Sequence, residues 1–246
     1  MIPLVMVHGF MGGSAQWDPQ TEALVEHFDI ITLDLPGFGL NSDLPVISEI
    51  GGFAEWVIAQ LNDRNVSRFN LLGHSMGGMI AQEIASRVPD QIEKLILYGT
   101  GAVGVLPGRF ETIAESKARA NTDGARATAR RITASWFLHG TASPAFDACA
   151  TIAERAGVDA ILAGLDAMEA WSGEAALAHL DCETLLIWGD QDRTYPWPQI
   201  EKLWKTIPKT SLSVFPNSAH AVHLELPGQF NDVLQTYLQT GHQSLA

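Results

Sequence analysis

The sequence is poor in cysteine, in basic residues and in long apolar runs, and each shortage excludes a class of protein. Its two cysteines, Cys149 and Cys182, cannot form the disulfide framework of a small secreted domain, so we expect reduced thiols in a cytoplasmic protein. No run of 18 apolar residues occurs, which argues against a transmembrane helix. Residues 1–7 lack the basic segment of a signal peptide and are typical of a β-strand.

The charge balance is acidic, with 15 Lys and Arg against 28 Asp and Glu and a net charge of −13. Nucleic acids and anionic membrane surfaces bind basic patches, so neither is the expected partner. The densest basic stretch, residues 126–131, has the spacing of a solvated helix face. We therefore expect a small-molecule substrate, while the oligomeric state leaves no signal in the sequence. A chain of 246 residues with 46% hydrophobic residues is long enough to bury a large core.

Short β-forming runs alternate with amphipathic helical patterns along most of the chain. Several of the runs are apolar on consecutive residues, as parallel strands buried on both faces are. Alternation of this kind predicts an α/β fold with a mostly parallel, doubly wound sheet. The predicted strands are residues 2–7, 28–33, 69–72, 94–98, 184–188 and 210–215, and the predicted helices are residues 15–26, 48–61, 76–87, 199–206 and 228–239.

One interval, residues 103–179, breaks this alternation, because it contains Ala-rich helical stretches and no convincing strand. Helix starts are predicted at Thr122-Asp123-Gly124 and at Ser143-Pro144, with Pro144 in the first helical position. A helical block between two strands of one sheet is expected to cover the strand ends as a cap. The predicted organisation is a core formed by residues 1–102 and 180–246, with the cap inserted between its halves.

The strongest chemical signal is Gly73-His74-Ser75-Met76-Gly77, which lies between a predicted strand and a predicted helix. This is the G-x-S-x-G pattern in the strand–turn–helix context that gives it meaning. The turn is so tight that side chains at Gly73 and Gly77 would collide with neighbouring elements. Ser75 is therefore the candidate nucleophile, and the following helix directs its N-terminus at the reaction centre.

A serine hydroxyl needs a base and a group that orients the base. His220, after the last predicted strand, is the candidate base, and Asp192, after the preceding strand, is the candidate acid. The residues themselves leave alternatives open, since His223 could replace the base and Asp190 could replace the acid. The chain order serine, acid, histidine is the one that this strand–turn–helix architecture imposes. All of these residues would lie at the carboxyl edge of the sheet.

A pair of backbone N–H groups is expected to bind the developing oxyanion. Met76 supplies one because it follows the nucleophile, and the glycine-rich loop after the first strand supplies the other. Phe10, in His8-Gly9-Phe10-Met11-Gly12-Gly13, is the expected second donor. His8 and His74 are expected to have structural roles, in packing or hydrogen bonding.

No metal and no cofactor are expected. His220 and His223 have metal-ligand spacing, but the sequence has no H-E-x-x-H helix and no Cys/His cluster that would supply further ligands. Residues 99–104 match G-x-G-x-x-G after a strand. A dinucleotide site would need a helix beginning inside the motif, whereas Val105-Leu106-Pro107-Gly108 follows, so we expect a loop beside the pocket.

These segments together resemble the α/β-hydrolase superfamily over nearly the whole chain. The matching pieces are His8-Gly9-Phe10, residues 34–39 with Ser42, residues 73–78, residues 189–192, and Ala219-His220 followed by Glu225-Leu226-Pro227. In relatives the second acid of a G-D-x-D loop is usually the triad member, which favours Asp192. The histidine usually precedes Glu-x-Pro at the spacing from His220 to Glu225, which disfavours His223. The usual glycine before the histidine is Ala219 here.

The resemblance also implies the fold and the activity. Family members commonly carry two strands before the His-Gly strand, so we expect a reduced sheet of about six strands. The expected function is a serine hydrolase that cleaves a small carboxylic ester or an enol-lactone through an acyl-enzyme. A C–C bond hydrolase acting on a ring-fission product and a slow-turnover ligand receptor are the alternatives. The cap would set substrate choice, with pocket candidates Arg109, Trp136, His139 and Trp171.

Overall fold

A six-stranded parallel sheet forms the centre of the computed structural model, which describes residues 2–108 and 110–240. The strand order is β2-β1-β3-β4-β5-β6, and every neighbouring pair is parallel. The prediction of a doubly wound sheet of about six parallel strands is therefore confirmed. The strands are β1 (Leu4–Val7), β2 (Ile30–Leu33), β3 (Phe69–His74), β4 (Ile92–Tyr98), β5 (Glu183–Gly189) and β6 (Thr210–Phe215).

The sheet is covered on both faces, which explains the consecutive apolar residues in its strands. Successive side chains of β1 alternate between the faces. Val5 and Val7 belong to the larger apolar cluster, and Leu4 and Met6 belong to the smaller one. All four are fully buried. A polar residue at any of these positions would lose its hydrogen bonds to water, so this strand is apolar throughout.

Ten α-helices surround the sheet in the described part of the chain. The smaller cluster takes Leu24 from α1 and Phe230 from α10, whereas the larger one takes Phe53 from α2 and Ile80 from α3. Helices α1 and α10 therefore cover one face of the sheet, and α2 and α3 cover the other. In chain order they are α1 (Asp18–Leu24), α2 (Ile50–Asp63), α3 (Met76–Arg87), α4 (Ile113–Asp123), α5 (Ala125–Ser135), α6 (Phe146–Ala153), α7 (Val158–Ala170), α8 (Trp197–Thr206), α9 (Val222–Glu225) and α10 (Pro227–Gln239).

Helices α4 to α7 lie in the interval between β4 and β5, which we call the helical insertion (residues 103–179). A β-bridge between Val103 and Ser172 joins its two ends. Helix α5 begins directly after Gly124, close to the predicted start. The prediction that Pro144 opens a helix is wrong, because α6 begins at Phe146, whose amide donates a turn hydrogen bond of 3.0 Å to Ser143 O.

Both cysteines are free thiols that form no disulfide, with Cys149 buried and Cys182 half-buried. Burial raises the pKa of the Cys149 thiol to about 12, so this side chain is uncharged at neutral pH. Within residues 2–108 and 110–240, no helix has the length and apolar character needed to cross a membrane.

Candidate active site

The carboxyl ends of the strands align at one edge of the sheet. Gly73 of β3 pairs with Val7 of β1, and Gly189 of β5 pairs with Phe215 of β6. The loops that follow these strands therefore emerge side by side, where open α/β sheets place their ligands. Three predicted site residues lie in these loops, namely Ser75 after β3, Asp192 after β5 and His220 after β6.

Ser75 forms the turn between β3 and α3 in a backbone conformation that is rare for a residue with a side chain. Its φ is 57° and its ψ is −120°, a strained geometry that persists only where the surroundings impose it. The Ser75 amide donates to Tyr98 O at 2.9 Å. Its carbonyl accepts from Thr100 Oγ1 at 2.8 Å. Neighbouring β4 and the loop after it thus hold the turn from both ends.

The glycines that flank Ser75 are required by close backbone contacts. A Cβ atom on Gly77 would lie 2.4 Å from Val7 O, and one on Gly73 would lie 2.2 Å from Gly77 O. Both distances are far shorter than non-bonded atoms tolerate. The glycines of the G-x-S-x-G pattern are therefore needed because α3 lies so close to the ends of β1 and β3.

His220 and Asp192 form a buried hydrogen-bonded pair. His220 Nδ1 lies 2.8 Å from Asp192 Oδ2, and the two side chains are almost completely buried. The other carboxylate oxygen, Oδ1, accepts from the amides of Thr194 at 2.7 Å and Tyr195 at 3.1 Å. The carboxylate is thus fixed in place and favours the tautomer with the proton on Nδ1. Asp190, the alternative acid, has a buried Oδ1 without a hydrogen-bond partner among the described residues.

The loop after β1 approaches Ser75 closely. A Cβ atom on Gly9 would lie 2.9 Å from Ser75 Cβ, so this loop brings its backbone beside the nucleophile candidate. His8 has the structural role expected of it, because its Nε2 accepts from the Leu35 amide at 2.9 Å and its Nδ1 donates to Gly9 O at 2.8 Å. Met76 is the first residue of α3, and helix geometry leaves its amide without an intrahelical partner.

Two side chains hold the backbone carbonyl of His220. Tyr98 Oη donates to His220 O at 2.7 Å, and His74 Nε2 donates to the same oxygen at 3.1 Å. The rings of His74 and Tyr98 stack with centroids 4.3 Å apart. Burial is the main reason why the pKa of His74 falls well below its ordinary value, and the nearby His220 and His223 lower it further. His74 is therefore a neutral structural donor, in the hydrogen-bonding role expected from the sequence.

A comparison with known protein families identifies the family of this chain. Residues 2–227 match the family described as alpha/beta hydrolase fold, and this match covers most of the chain. The chain belongs to the α/β-hydrolase family. It is accordingly an enzyme with hydrolase relatives, and the resemblance inferred from the sequence is confirmed.

Relatives of this chain differ in their stated activities. The chain is 28% identical over 247 residues to "Putative carbamate hydrolase RutD" from Agrobacterium fabrum, covering 98% of this chain and 94% of the relative. A thermophilic esterase from Thermogutta terrifontis matches with a TM-score of 0.88 and 25% identity, covering 97% of this chain and 90% of that one. The enol-lactonase from Burkholderia xenovorans LB400, at 21% identity and a TM-score of 0.88 over 98% and 92% of the two chains, shows the shared fold alone.

A narrow cavity in the hydrolase is lined by Ser75 and His220. It is lined by Gly9, Phe10, Gln16, His74, Ser75, Gly104, Leu106, Phe110, Ile132, Trp136, Cys149, Met168, Thr194, Tyr195, His220, Ala221, His223 and Leu224. The cavity volume is about 20 Å³, which is room for one or two waters. A substrate of several atoms therefore fits only if side chains of the cavity lining move. Gly104 lines the cavity from the loop predicted at residues 99–104.

The pocket candidates are distributed over different places. Trp136 lines the cavity beside Ser75. His139 lines a separate cavity next to Glu225, and Trp171 Nε1 donates a hydrogen bond of 2.9 Å to Glu83 on α3. The remaining candidate, Arg109, lies outside the described residues.

Two polar cavity residues were missed by the sequence analysis. Gln16 Nε2 donates to Cys149 Sγ at 2.9 Å, and both side chains are buried. They come from a short 3-10 helix before α1 and from α6 in the helical insertion. They carry no motif that could have identified them, since only the packing of the insertion brings them together. No group of three or more His, Cys, Asp or Glu side chains suited to a metal occurs in the described ranges.

Proposed function

We propose that this chain is a serine hydrolase that cleaves a small carboxylic ester or lactone through an acyl-enzyme on Ser75. The observation that carries this proposal is the buried hydrogen bond of 2.8 Å between His220 Nδ1 and Asp192 Oδ2. His220 lines the same cavity as Ser75, which a strained turn places at the sheet edge. A buried imidazole–carboxylate pair beside a serine is the arrangement that activates a hydroxyl nucleophile.

In the first step, Ser75 Oγ attacks the ester carbonyl carbon while its proton passes to His220 Nε2. Asp192 accepts a hydrogen bond from Nδ1–H, which keeps Nε2 free to receive the proton and stabilises the resulting imidazolium. The C–O bond of the ester then breaks, and His220 returns the proton to the departing alcohol oxygen. The products of this step are the free alcohol and an acyl group on Ser75.

Negative charge on the carbonyl oxygen is stabilised by the amides of Phe10 and Met76 in this mechanism. Each such donor typically lowers the barrier by about 3–4 kcal/mol. The support for Phe10 is that the loop carrying it packs against Ser75 and lines the cavity. The support for Met76 is its position at the N-terminus of α3, where the helix dipole also favours negative charge.

Water completes the reaction. His220 Nε2 takes one proton of the water as its oxygen attacks the acyl carbon, and the proton then passes to Ser75 Oγ as the acyl–serine bond breaks. The product is a carboxylic acid, and the enzyme returns to its starting state. The net reaction consumes one water per ester bond.

The helical insertion is proposed to be the cap that sets substrate choice. It contributes Phe110, Ile132, Trp136, Cys149 and Met168 to the cavity walls. These mostly apolar walls and the small free volume favour a short acyl group. Carbamate esters share the ester C–O bond, and the name of one relative makes them a useful addition to the substrates tested.

The proposal is tested by initial rates on 4-nitrophenyl esters from acetate to octanoate. Wild type is compared with Ser75→Ala and with Ser48→Ala, which replaces an exposed serine. We expect turnover that falls with chain length, a loss of at least about a thousandfold in Ser75→Ala, and wild-type rates in Ser48→Ala. Activity of folded Ser75→Ala within about tenfold of wild type would refute the assigned nucleophile. Absence of turnover by folded wild type on all esters would refute the esterase.

A further inference from the structure

His223 lines the same cavity as Ser75 but takes no part in the mechanism above. Its side chain is 1% exposed, and its ring lies 5.2 Å from that of His74, which in turn lies 4.5 Å from that of His220. His223 is therefore placed close to the reacting groups. The hydrogen bonds around it determine which of its ring nitrogens carries the proton.

Tyr98 fixes this proton position. Its hydroxyl oxygen lies 2.7 Å from His220 O and 3.0 Å from His223 Nδ1. Two oxygens at 2.7 Å need a proton between them, and a carbonyl has none to give, so the Tyr98 proton is directed at His220 O. The hydroxyl oxygen must then accept from His223 Nδ1–H. Neutral His223 consequently has an unprotonated Nε2.

This Nε2 atom is a buried acceptor without a partner. It is inaccessible to solvent and has no hydrogen bond within residues 2–108 and 110–240. An unsatisfied buried polar atom is destabilising and needs an explanation, of which a bound molecule or water is one. Burial lowers the pKa of His223 to about 3, so protonation does not satisfy Nε2 at neutral pH.

We infer that the substrate carries an N–H or O–H group that donates a hydrogen bond to His223 Nε2 once substrate entry has displaced the side chains that seal this atom from solvent. This inference rests on the proposed function, because it assigns a specificity contact within the same cavity. The substrate class is a small ester that bears a hydroxyl or amino group on its acyl or alcohol part, including carbamates. A second cavity residue, Thr194, also has a buried hydroxyl without a partner among the described residues.

The competing explanation is a fixed water between His223 and Trp17. Trp17 Nε1 is a buried donor without a partner in the described chain, and the two rings lie 4.7 Å apart. A water there would satisfy both atoms whatever the substrate. The two explanations differ in one respect, because only a substrate contact makes the rate depend on a donor group of the substrate.

Three pairs of esters that exchange one hydroxyl or amino group for methyl provide the test. They are ethyl glycolate against ethyl propionate, 2-hydroxyethyl acetate against propyl acetate, and ethyl carbamate against ethyl acetate. Hydrolysis is followed by release of the alcohol product, and the readout is the ratio of kcat/KM within each pair. In wild type we expect at least one donor-bearing ester to be favoured by about tenfold or more.

His223→Asn is the decisive variant, because its amide can still donate to Tyr98 but does not reach the place of Nε2. In this variant the kcat/KM ratio within each pair is expected to fall to within about threefold of one. His223→Gln, which carries its amide to that place, is expected to retain most of it. Thr128→Val removes a buried, unpartnered hydroxyl outside the cavity and is expected to keep the wild-type ratio. Tyr98→Phe removes the hydroxyl that keeps the His223 proton on Nδ1. This variant is expected to lower the kcat/KM ratio within each pair, even if all rates fall.

Unchanged ratios in His223→Asn and Tyr98→Phe would overturn the inference, and an equal loss on all six esters in His223→Asn would assign Nε2 to a fixed water. If wild type hydrolysed neither these six esters nor the 4-nitrophenyl esters, the proposed function would fail separately. Calorimetric binding of the same pairs to Ser75→Ala, with and without His223→Asn, then decides the inference. Tighter binding of a donor-bearing ester that depends on His223 supports it, and equal affinities refute it.

Discussion

Glu225 Oε1 accepts a hydrogen bond of 2.6 Å from the backbone amide of Leu138, which joins the segment after β6 to the helical insertion. The other oxygen of this carboxylate accepts from the Ala219 amide at 2.7 Å and from Ser218 Oγ at 2.9 Å. One side chain thus binds the residues directly before His220 and a residue of the insertion. This relationship gives the Glu-x-Pro pattern after the histidine a physical role.

Neighbouring residues of the insertion are tied to the same loops. The Ala221 amide donates to Trp136 O at 2.9 Å, and Arg193 Nη2 donates to Phe137 O at 3.3 Å. Residues 136–138 therefore contact both the loop of His220 and the loop of Asp192. A displacement of this segment would alter the positions of both side chains, so the insertion supports the site as well as lining its cavity.

Loss of the Glu225 carboxylate is expected to affect both stability and turnover. Glu225→Ala leaves the Leu138 and Ala219 amides without their acceptor, at a cost of about 2–4 kcal/mol in unfolding free energy. We expect kcat to fall because the backbone before His220 is released. Glu225→Gln keeps an acceptor oxygen and is expected to lose less of both quantities. Urea unfolding and ester kinetics measure the two effects, and equal losses in both variants would contradict this assignment.

Exchange of Asp192 for asparagine is expected to lower kcat by about 10³ or more with little change in fold. The oxygen of the introduced amide can still accept from the Thr194 and Tyr195 backbone N–H groups, but its NH₂ group would face His220 Nδ1. The imidazole would then carry its proton on Nε2, where it cannot receive the serine proton. Asp190→Asn is the matched control and is expected to retain kcat within about threefold. A comparable loss in that control would reassign the acid.

The sequence was sufficient to predict features that depend on local pattern. Parallel strands buried on both faces are apolar at consecutive positions, and the tight turn at Ser75 requires glycine on either side, so both leave a readable signal. Contacts between distant segments leave none. Gln16 meets Cys149 across 133 positions, and Tyr98 meets His223 across 125. Such pairs depend on how the helical insertion and the segment after β6 pack against the rest of the chain, which no local sequence pattern encodes.

Addition of a methyl group at Gly77 is expected to destabilise the protein by about 3 kcal/mol or more. The new Cβ would lie 2.4 Å from Val7 O and 2.5 Å from His8 O, which are backbone atoms that cannot move without distorting β1 and the loop after it. Gly228→Ala, in α10, meets no atom within 4 Å and is expected to stabilise slightly, by up to about 1 kcal/mol. Urea unfolding of the two variants provides the comparison, and similar stabilities would contradict the predicted collision.

Buried neutral histidines are expected to make the fold sensitive to acid. The pKa of His223 is about 3 in the folded protein against an ordinary value of 6.5, and burial lowers the pKa of His8 and His74 in the same direction. Between pH 6.5 and 3, His223 is therefore protonated to a greater extent in the unfolded chain than in the folded one. The stability contributed by neutral His223 is complete above pH 6.5 and is lost as the pH falls toward 3.

The contribution of His223 can be isolated by comparing wild type with His223→Asn. At pH values well inside this window, one extra proton on the unfolded chain changes the unfolding free energy by about 1.4 kcal/mol per pH unit. Carboxylates are common to both proteins and cancel in the difference. Urea unfolding from pH 7 to pH 4.5 should therefore show a steeper acid loss in wild type, with Thr128→Val running parallel to wild type. Parallel curves for wild type and His223→Asn would mean that His223 binds its proton equally well in both states, in conflict with its burial.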